Sequence, residues 1–325
     1  MLISVILFAI GLVLLIKGGD WFVDGATGIA KRFNLPDIVV GATVVSIGTT
    51  LPEVMVSTTG ALQGSGAMAY GNAIGSIICN TALIAAISII CNPGPVNTKS
   101  MKTPAIFFFC SAALYCLASY VLGEFPRWMG FVMLAIFVAY TILTVRNGLK
   151  NPDEAEAEEE EEGGKPRTLV MELVLLVVGA AVIAVGADLL VEHGQVIALG
   201  LGVPETVVAL LFVALGTSLP ELVTTITSLR SGHASLGVGN VIGANVFNLV
   251  LVSGVAVSLA PFPVPMENEL LNTGLNMSLV FEIPVMLGVM ALMIFPTLAS
   301  KKLARWQGIA LLCIYAAFCV CQFVL

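Results

Sequence analysis

Slid against itself by 168 residues, the chain aligns GTTLPE (48–53) with GTSLPE (216–221). The same offset pairs Asp20 with Asp188, Pro36 with Pro204, and GNAIGSIICN (71–80) with GNVIGANVFN (239–248). Over 36–60 against 204–228, ten of 25 residues are identical without a gap. Separated features that share one offset mark a duplication, so the chain folds as two copies of one unit.

Each copy consists mostly of charge-poor stretches of about 18 to 25 residues, the length that crosses a bilayer. With 58% of the residues hydrophobic and 11% charged, the expectation is an all-α polytopic membrane protein. Hydropathy places spans near 2–24, 36–62, 66–91, 104–122 and 126–146, then near 168–192, 204–229, 234–260, 276–297 and 303–325. An odd number of crossings per copy sends the second copy into the membrane upside down. That predicts about ten helices as two inverted five-helix repeats, 1–147 and 168–325, a construction common in secondary transporters. The N-terminal stretch lacks a basic leader and a small-residue cleavage signal, and reads as a retained first helix.

Charge orients the array. With both termini outside, twelve of the 14 Lys and Arg residues fall in cytoplasmic loops; the exceptions are Arg127, outside, and Lys17, within the first span. This is the bias that sets topology in a cell (inner or plasma) membrane. Eight of the 21 acids sit in NPDEAEAEEEEEGG, within a linker at 148–167 expected to be solvated and cytoplasmic. The lipid bilayer is the expected surroundings, and nothing in the charge pattern points to nucleic acid. The seven cysteines lie in or beside apolar segments without metal-ligand spacing and read as small apolar residues.

The chemistry gathers where helices 2 and 7 are interrupted. Pro52 and Pro220 each remove an amide hydrogen that the carbonyl four residues earlier, at Gly48 or Gly216, needs. An unpaired carbonyl is tolerated at membrane depth only against protein, water or an ion. Ser46, Thr49, Thr50, Thr217 and Ser218 bring hydroxyls to the same breaks, and Glu53 and Glu221 follow immediately. A buried glutamate costs at least a few kcal/mol unless protonated or paired with a cation. Two of them among oxygen-bearing side chains suit a hard ion such as Ca2+, which takes about 6 to 8 oxygens. Asn72, Ser76 and Asn80 form one polar stripe on the following helix, repeated as Asn240, Ala244 and Asn248. Gly71 with Gly75, and Gly239 with Gly243, have the spacing that brings helices close. Asp20 and Asp188 read as structural, with Lys17 an i, i+3 partner for Asp20; Glu282 has no assignment.

The paired GTTLPE and GTSLPE, each followed by GN-x-IG-x-x-x-x-N, resemble the two α-repeats of the sodium/calcium exchanger family, within the Ca2+/cation antiporter superfamily. The resemblance covers nearly the whole chain, with motifs at 41–84 and 209–252, and the short linker is like that of compact prokaryotic members. It implies electrogenic Na+/Ca2+ antiport by alternating access at a central cluster of four cation sites. No cofactor is implied, the ions being cargo, and no oligomer is required. By motif position, Glu53 and Glu221 would be the principal ligands, with Thr49, Thr217, Thr50 and Ser218 beside them. Ser46 and Ala214 would give carbonyls, and Ser76, Asn80 and Asn248 would come from the third and eighth helices. Ala244 and Asn248 depart from the Ser and Asp of many members, leaving the two glutamates as the only acids. The alternatives are a K+-dependent or H+-coupled Ca2+/cation antiporter on the same scaffold. More remote are a cation channel, which would need a symmetric oligomer, and an intramembrane protease built on Asp20 and Asp188; the reading is of a carrier, not an enzyme.

Overall fold

The computed structural model describes residues 2–96, 98–150, 168–200, 216–265 and 276–324. The acidic run lies outside the described residues, as does the whole segment 201–215 ahead of the second break, Ala214 included. The described chain is helical: α1 (Leu2–Arg32), α2 (Asp37–Thr49), α3 (Leu51–Leu62), α4 (Gly66–Cys91), α5 (Thr98–Leu122), α6 (Arg127–Leu149), α7 (Leu169–Gly200), α8 (Leu219–Arg230), α9 (Ala234–Leu259), α10 (Ser278–Ser300) and α11 (Arg305–Val324). Among the described residues, eight of these are long and apolar enough to cross a membrane, and the bent pair α2–α3 makes a ninth. Large apolar side chains such as Leu2, Val13, Met55, Val121, Val177 and Val320 point outward, as a protein solvated by lipid requires. The all-α, multi-pass architecture expected from the hydropathy is thus the one observed.

The helices differ in depth. In α9, 83% of the most apolar window is buried inside the protein, against 28% in α1 and α7. So α9 is central and the α1–α7 pair peripheral. That pair is held by glycines seven residues apart. A Cβ on Gly11 would strike the Gly186 carbonyl, one on Gly18 the backbone of Ile183, and one on Gly25 the backbone of Glu172 and Leu176. Residues rise along α1 as they fall along α7, so the first helices of the two copies run antiparallel. Both are longer than the hydropathy reading: α1 ends at Arg32 rather than near 24, and α7 at Gly200 rather than near 192. At 1.5 Å per residue each spans about 45 Å, more than the roughly 30 Å hydrocarbon core. The charged residues that ended the hydropathy windows do not break a helix whose backbone contacts continue. Side chains add to them there: the Arg32 Nε donates to Glu172 Oε2 at 3.0 Å, with the Glu172 side chain 6% exposed. Similarly, α5 starts at Thr98 and carries Pro104 inside it, six residues earlier than hydropathy indicated.

Two short antiparallel strand pairs tie loops of the two copies together, Gly94–Pro95 with Lys302–Leu303 and Glu124–Phe125 with Phe262–Pro263. Inside the bundle, the α-helical ladder loosens to wider π turns at Gly41–Val45, Asn80–Ala85 and Asn248–Val252. The last two are related by the 168-residue offset. Such turns are rare and cluster at functional sites. The Tyr140 hydroxyl donates to the Ala42 carbonyl at 2.9 Å, giving a partner to a carbonyl in the first of them.

Candidate functional site

The break in helix 2 is sharp. Helix α2 stops at Thr49, Thr50 takes φ −85° and ψ −3°, and α3 restarts at Leu51, bent by 45°. Pro52 falls in the first turn of α3, where a missing amide hydrogen is tolerated. The backbone does not unwind at Gly48. Its bare Cα instead admits the Phe22 ring of α1, which a Cβ would meet at 3.0 Å. The second break repeats the geometry within the described residues: Thr217 and Ser218 form a turn, Pro220 sits in the first turn of α8, and a Cβ on Gly216 would meet Val191 at 3.0 Å.

These kinks place both glutamates in the interior. Glu53 and Glu221 are fully buried, and among the described residues no donor meets any of their four carboxylate oxygens in hydrogen-bond geometry. The two carboxylates are near enough to interact electrostatically, and the Thr49 and Thr50 hydroxyls face that of Glu221. Thr50, Ser76, Asn80, Ser218 and Asn248 share the condition: each is at most 2% exposed, with side-chain polar atoms that find no partner among the described residues. Buried polar groups are nearly always satisfied, so a group of orphaned oxygens around two acids needs a physical account. Two like charges without a basic partner among the described residues are held in such a place by a cation or a proton.

The copies exchange partners at this centre. Helix α8, carrying Glu221, packs against the Asn80–Ala85 turn of the first copy, and α3, carrying Glu53, packs against the Asn248–Val252 turn of the second. Close helix approach makes this geometry possible. A Cβ on Gly239 would collide with the Ile38 carbonyl, one on Gly243 would lie 2.6 Å from the Ala42 Cα, and one on Gly41 would run into the Leu236 carbonyl. No described atom lies within 4 Å of a Cβ built on Gly71 or Gly75. The segment that corresponds to 38–46 in the second copy is 206–214, outside the described residues.

Two residues that the sequence showed only as part of a polar stripe turn out to hold the breaks. Asn240 accepts at Oδ1 from the Thr49 hydroxyl (3.2 Å) and donates from Nδ2 to Thr224 Oγ1 (2.9 Å). The Ser46 hydroxyl lies 2.9 Å from the Asn240 carbonyl and 2.8 Å from that of Gly41. On the other side, Asn72 accepts at Oδ1 from the Thr217 hydroxyl (3.3 Å) and donates to Ser57 Oγ (2.8 Å) and the Glu53 carbonyl (3.3 Å). The signal in the sequence was the four-residue spacing that puts Asn72 and Asn240 on the face of Asn80 and Asn248.

The other acids stand apart. Asp20 pairs with Lys17 at 3.8 Å on an exposed face, as expected from the spacing. Its repeat mate Asp188 instead lines a largely apolar cavity of about 1170 Å³ that reaches Thr49, Pro52, Thr217 and Pro220. Glu282 accepts from the Ser278 hydroxyl (2.7 Å) and from Gln322 Nε2 (3.1 Å), so its partners are on α10 and α11.

A membrane bundle that buries two acids among oxygen donors, with a cavity reaching the two helix breaks beside them, defines a membrane-embedded ion transporter. The chain belongs to the sodium/calcium exchanger family: the family described as sodium/calcium exchanger protein matches residues 3–146 and 171–324, on either side of the linker. It is 34% identical over 310 residues to an uncharacterized membrane protein of Methanocaldococcus jannaschii, covering 95% of this chain and 94% of that one. It is 29% identical to the sodium/calcium exchanger MaX1 of Methanosarcina acetivorans, covering 99% of each. Among solved structures, the sodium-calcium exchanger NCX_Mj soaked with 2.5 mM Na+ and 10 mM Sr2+ superposes with a TM-score of 0.79 at 31% identity, over 97% of each chain.

Proposed function

We propose that this protein exchanges Na+ for Ca2+ across the cell membrane by alternating access, with both ions drawn to one central site. The observation that carries the reading is the pair of fully buried carboxylates, Glu53 and Glu221, without a partner among the described residues, at two symmetric helix breaks. Two glutamates balance one Ca2+, and competition for the same acids makes occupancy by one ion exclude the other. Thr49, Thr50, Thr217 and Ser218 supply hydroxyls; Ser46 and Ala214 supply carbonyls; Ser76, Asn80 and Asn248 complete the shell. Gly48, Pro52, Gly216 and Pro220 shape the breaks; Gly239 and Gly243 set the helix spacing around the first, and Gly71 and Gly75 are their counterparts facing the segment 206–214 in this reading.

The full architecture in this reading is ten spans in two inverted five-helix repeats, 1–147 and 168–325, with α8 the visible part of the seventh span. Both termini lie outside and the linker 148–167 is cytoplasmic. The antiparallel α1–α7 pair supports the inversion. Na+-gradient-driven 45Ca2+ uptake into proteoliposomes tests the function, with K+ and pH gradients imposed separately to distinguish K+- or H+-coupled exchange. Uptake that depends on the Na+ gradient and is lost in Glu53→Gln and Glu221→Gln is expected. Uptake indifferent to Na+, or variants that transport normally, would overturn the reading.

A K+-dependent exchange is the second reading. It is favoured by 29% identity, over 47% of this chain and 25% of the relative, to the sodium/potassium/calcium exchanger 4 of Mus musculus.

A further inference from the structure

A hydroxyl can offer its lone pairs to a cation only if its hydrogen points elsewhere. At both breaks a carboxamide of the opposite copy takes that hydrogen. Thr217 of the second copy donates to Asn72 of the first, and Thr49 of the first donates to Asn240 of the second, at 3.3 and 3.2 Å. The amides cannot be turned around. Asn72 faces the Glu53 carbonyl, an acceptor only, so its nitrogen is on that side and its oxygen is toward Thr217. Asn240 faces Thr224, whose own hydrogen goes to the Pro220 or Glu221 carbonyl, so again the nitrogen lies there and the oxygen meets Thr49.

We propose that Asn72 and Asn240 are positioning residues that orient the threonine ligands of the opposite repeat, so that neither half builds its hydroxyl ligand alone. The inference rests on the Na+/Ca2+ exchange reading. Each amide joins three groups: a break threonine of one repeat, a hydroxyl of the other (Ser57 for Asn72, Thr224 for Asn240), and through it or directly the backbone next to that repeat's glutamate. Asn72 touches the Glu53 carbonyl itself, and Thr224 touches that of Glu221. A change in the pose of one break is therefore felt at the backbone of the other glutamate.

The two sides are unequal. Asn240 is fully buried and also lies within reach of Ser46, whereas Asn72 is half-buried and, among the described residues, receives only Thr217. The Asn72–Thr217 pair is therefore the cleaner test. The experiment is a double-mutant cycle of Asn72→Ala and Thr217→Val, read from half-saturating Ca2+ in proteoliposome exchange and from equilibrium 45Ca2+ binding to detergent-solubilised protein. Each single variant is expected to raise half-saturating Ca2+ by roughly three- to tenfold, the value of one oriented hydrogen bond. Half-saturating Ca2+ should shift by a larger factor than the maximal rate does. The double variant is expected to match Thr217→Val alone within about twofold, because Asn72 acts on the ion through that hydroxyl. Effects that multiply, or an Asn72→Ala protein with wild-type half-saturation, would overturn the proposal. The mirrored cycle of Asn240→Ala with Thr49→Val is the second pair, and should couple in the same sense. If wild-type protein shows no Na+-driven Ca2+ flux, the exchange reading fails while the binding cycle still tests the positioning role. Wild-type protein that binds no Ca2+ overturns both.

Discussion

Substituting Gly239 by alanine adds a single methyl group where the two repeats come closest. Built on the existing backbone, that Cβ lies 2.9 Å from both the Cα and the carbonyl carbon of Ile38, and nearer still to the carbonyl oxygen. Carbon atoms in contact prefer about 3.5 to 4.0 Å, so α9 and α2 would have to separate by most of an ångström. The obstacle is backbone, which cannot rotate away as a side chain can. Overpacking of this kind costs about 1 to 3 kcal/mol. The same displacement stretches the Thr49–Asn240 bond, now 3.2 Å, beyond useful hydrogen-bond length. We therefore expect Gly239→Ala to melt several degrees lower in detergent and to raise half-saturating Ca2+ together with that loss. Gly288→Ala is the control: it is an exposed helical glycine on α10 with nothing within 4 Å of an added Cβ among the described residues. Alanine there should be neutral or stabilising by up to about 1 kcal/mol. Thermal unfolding followed by gel-filtration recovery measures both. A Gly239→Ala protein as stable and active as wild type, or a Gly288→Ala protein equally damaged, would refute the reasoning.

Other substitutions separate the parts of the assembly. Gly186→Leu should split the α1–α7 pair, since even a Cβ there would lie 2.9 Å from the Gly11 carbonyl and the Leu15 amide; low recovery of folded protein after extraction would show it. Arg32→Ala strands the Glu172 carboxylate without its guanidinium at the end of the same pair, with an expected loss of about 2 kcal/mol in a detergent melt. Tyr140→Phe keeps the ring against Phe107 and Phe247 but removes the hydroxyl from the Ala42 carbonyl, and should cost about 1 kcal/mol by the same assay. Asn248→Asp adds a third acid beside the pair, and ligand charge is a main determinant of Ca2+ affinity. About tenfold tighter Ca2+ binding by titration is expected, and weaker binding would count against Asn248 in the shell.

Much of this arrangement was legible in the sequence because the relevant physics is local. A proline cannot donate, so Pro52 and Pro220 announced the breaks; a bilayer has a fixed thickness, so charge-poor runs announced the helices. What was hidden depends on which surfaces meet. Gly11, Gly18, Gly25, Gly179 and Gly186 are ordinary apolar-helix glycines until two particular helices are laid antiparallel. The π turns at Asn80 and Asn248 have no composition of their own, because one extra residue in a turn is a response to packing. The ends of α1 and α7 were misjudged because hydropathy marks where lipid ends, while a helix continues as long as neighbours hold it. Gly48 stood out in the sequence only for the carbonyl that Pro52 leaves without a partner, and in three dimensions it is a point of approach for Phe22.

The exchange of partners between repeats explains why a duplicated sequence can make a single site. If each copy assembled its own oxygens, two distant and identical half-charged sites would result, each burying one unbalanced acid. Here α8 brings Glu221 to the Asn80 turn and α3 brings Glu53 to the Asn248 turn, while Asn72 and Asn240 reach across to the opposite threonines. The acids are thereby forced into proximity, where their repulsion is relieved by one divalent ion more effectively than by one monovalent ion. A monovalent competitor must then arrive in greater number to achieve the same relief. That difference follows from two buried charges sharing a centre, and in the proposed exchange it gives a Na+ gradient its hold over Ca2+.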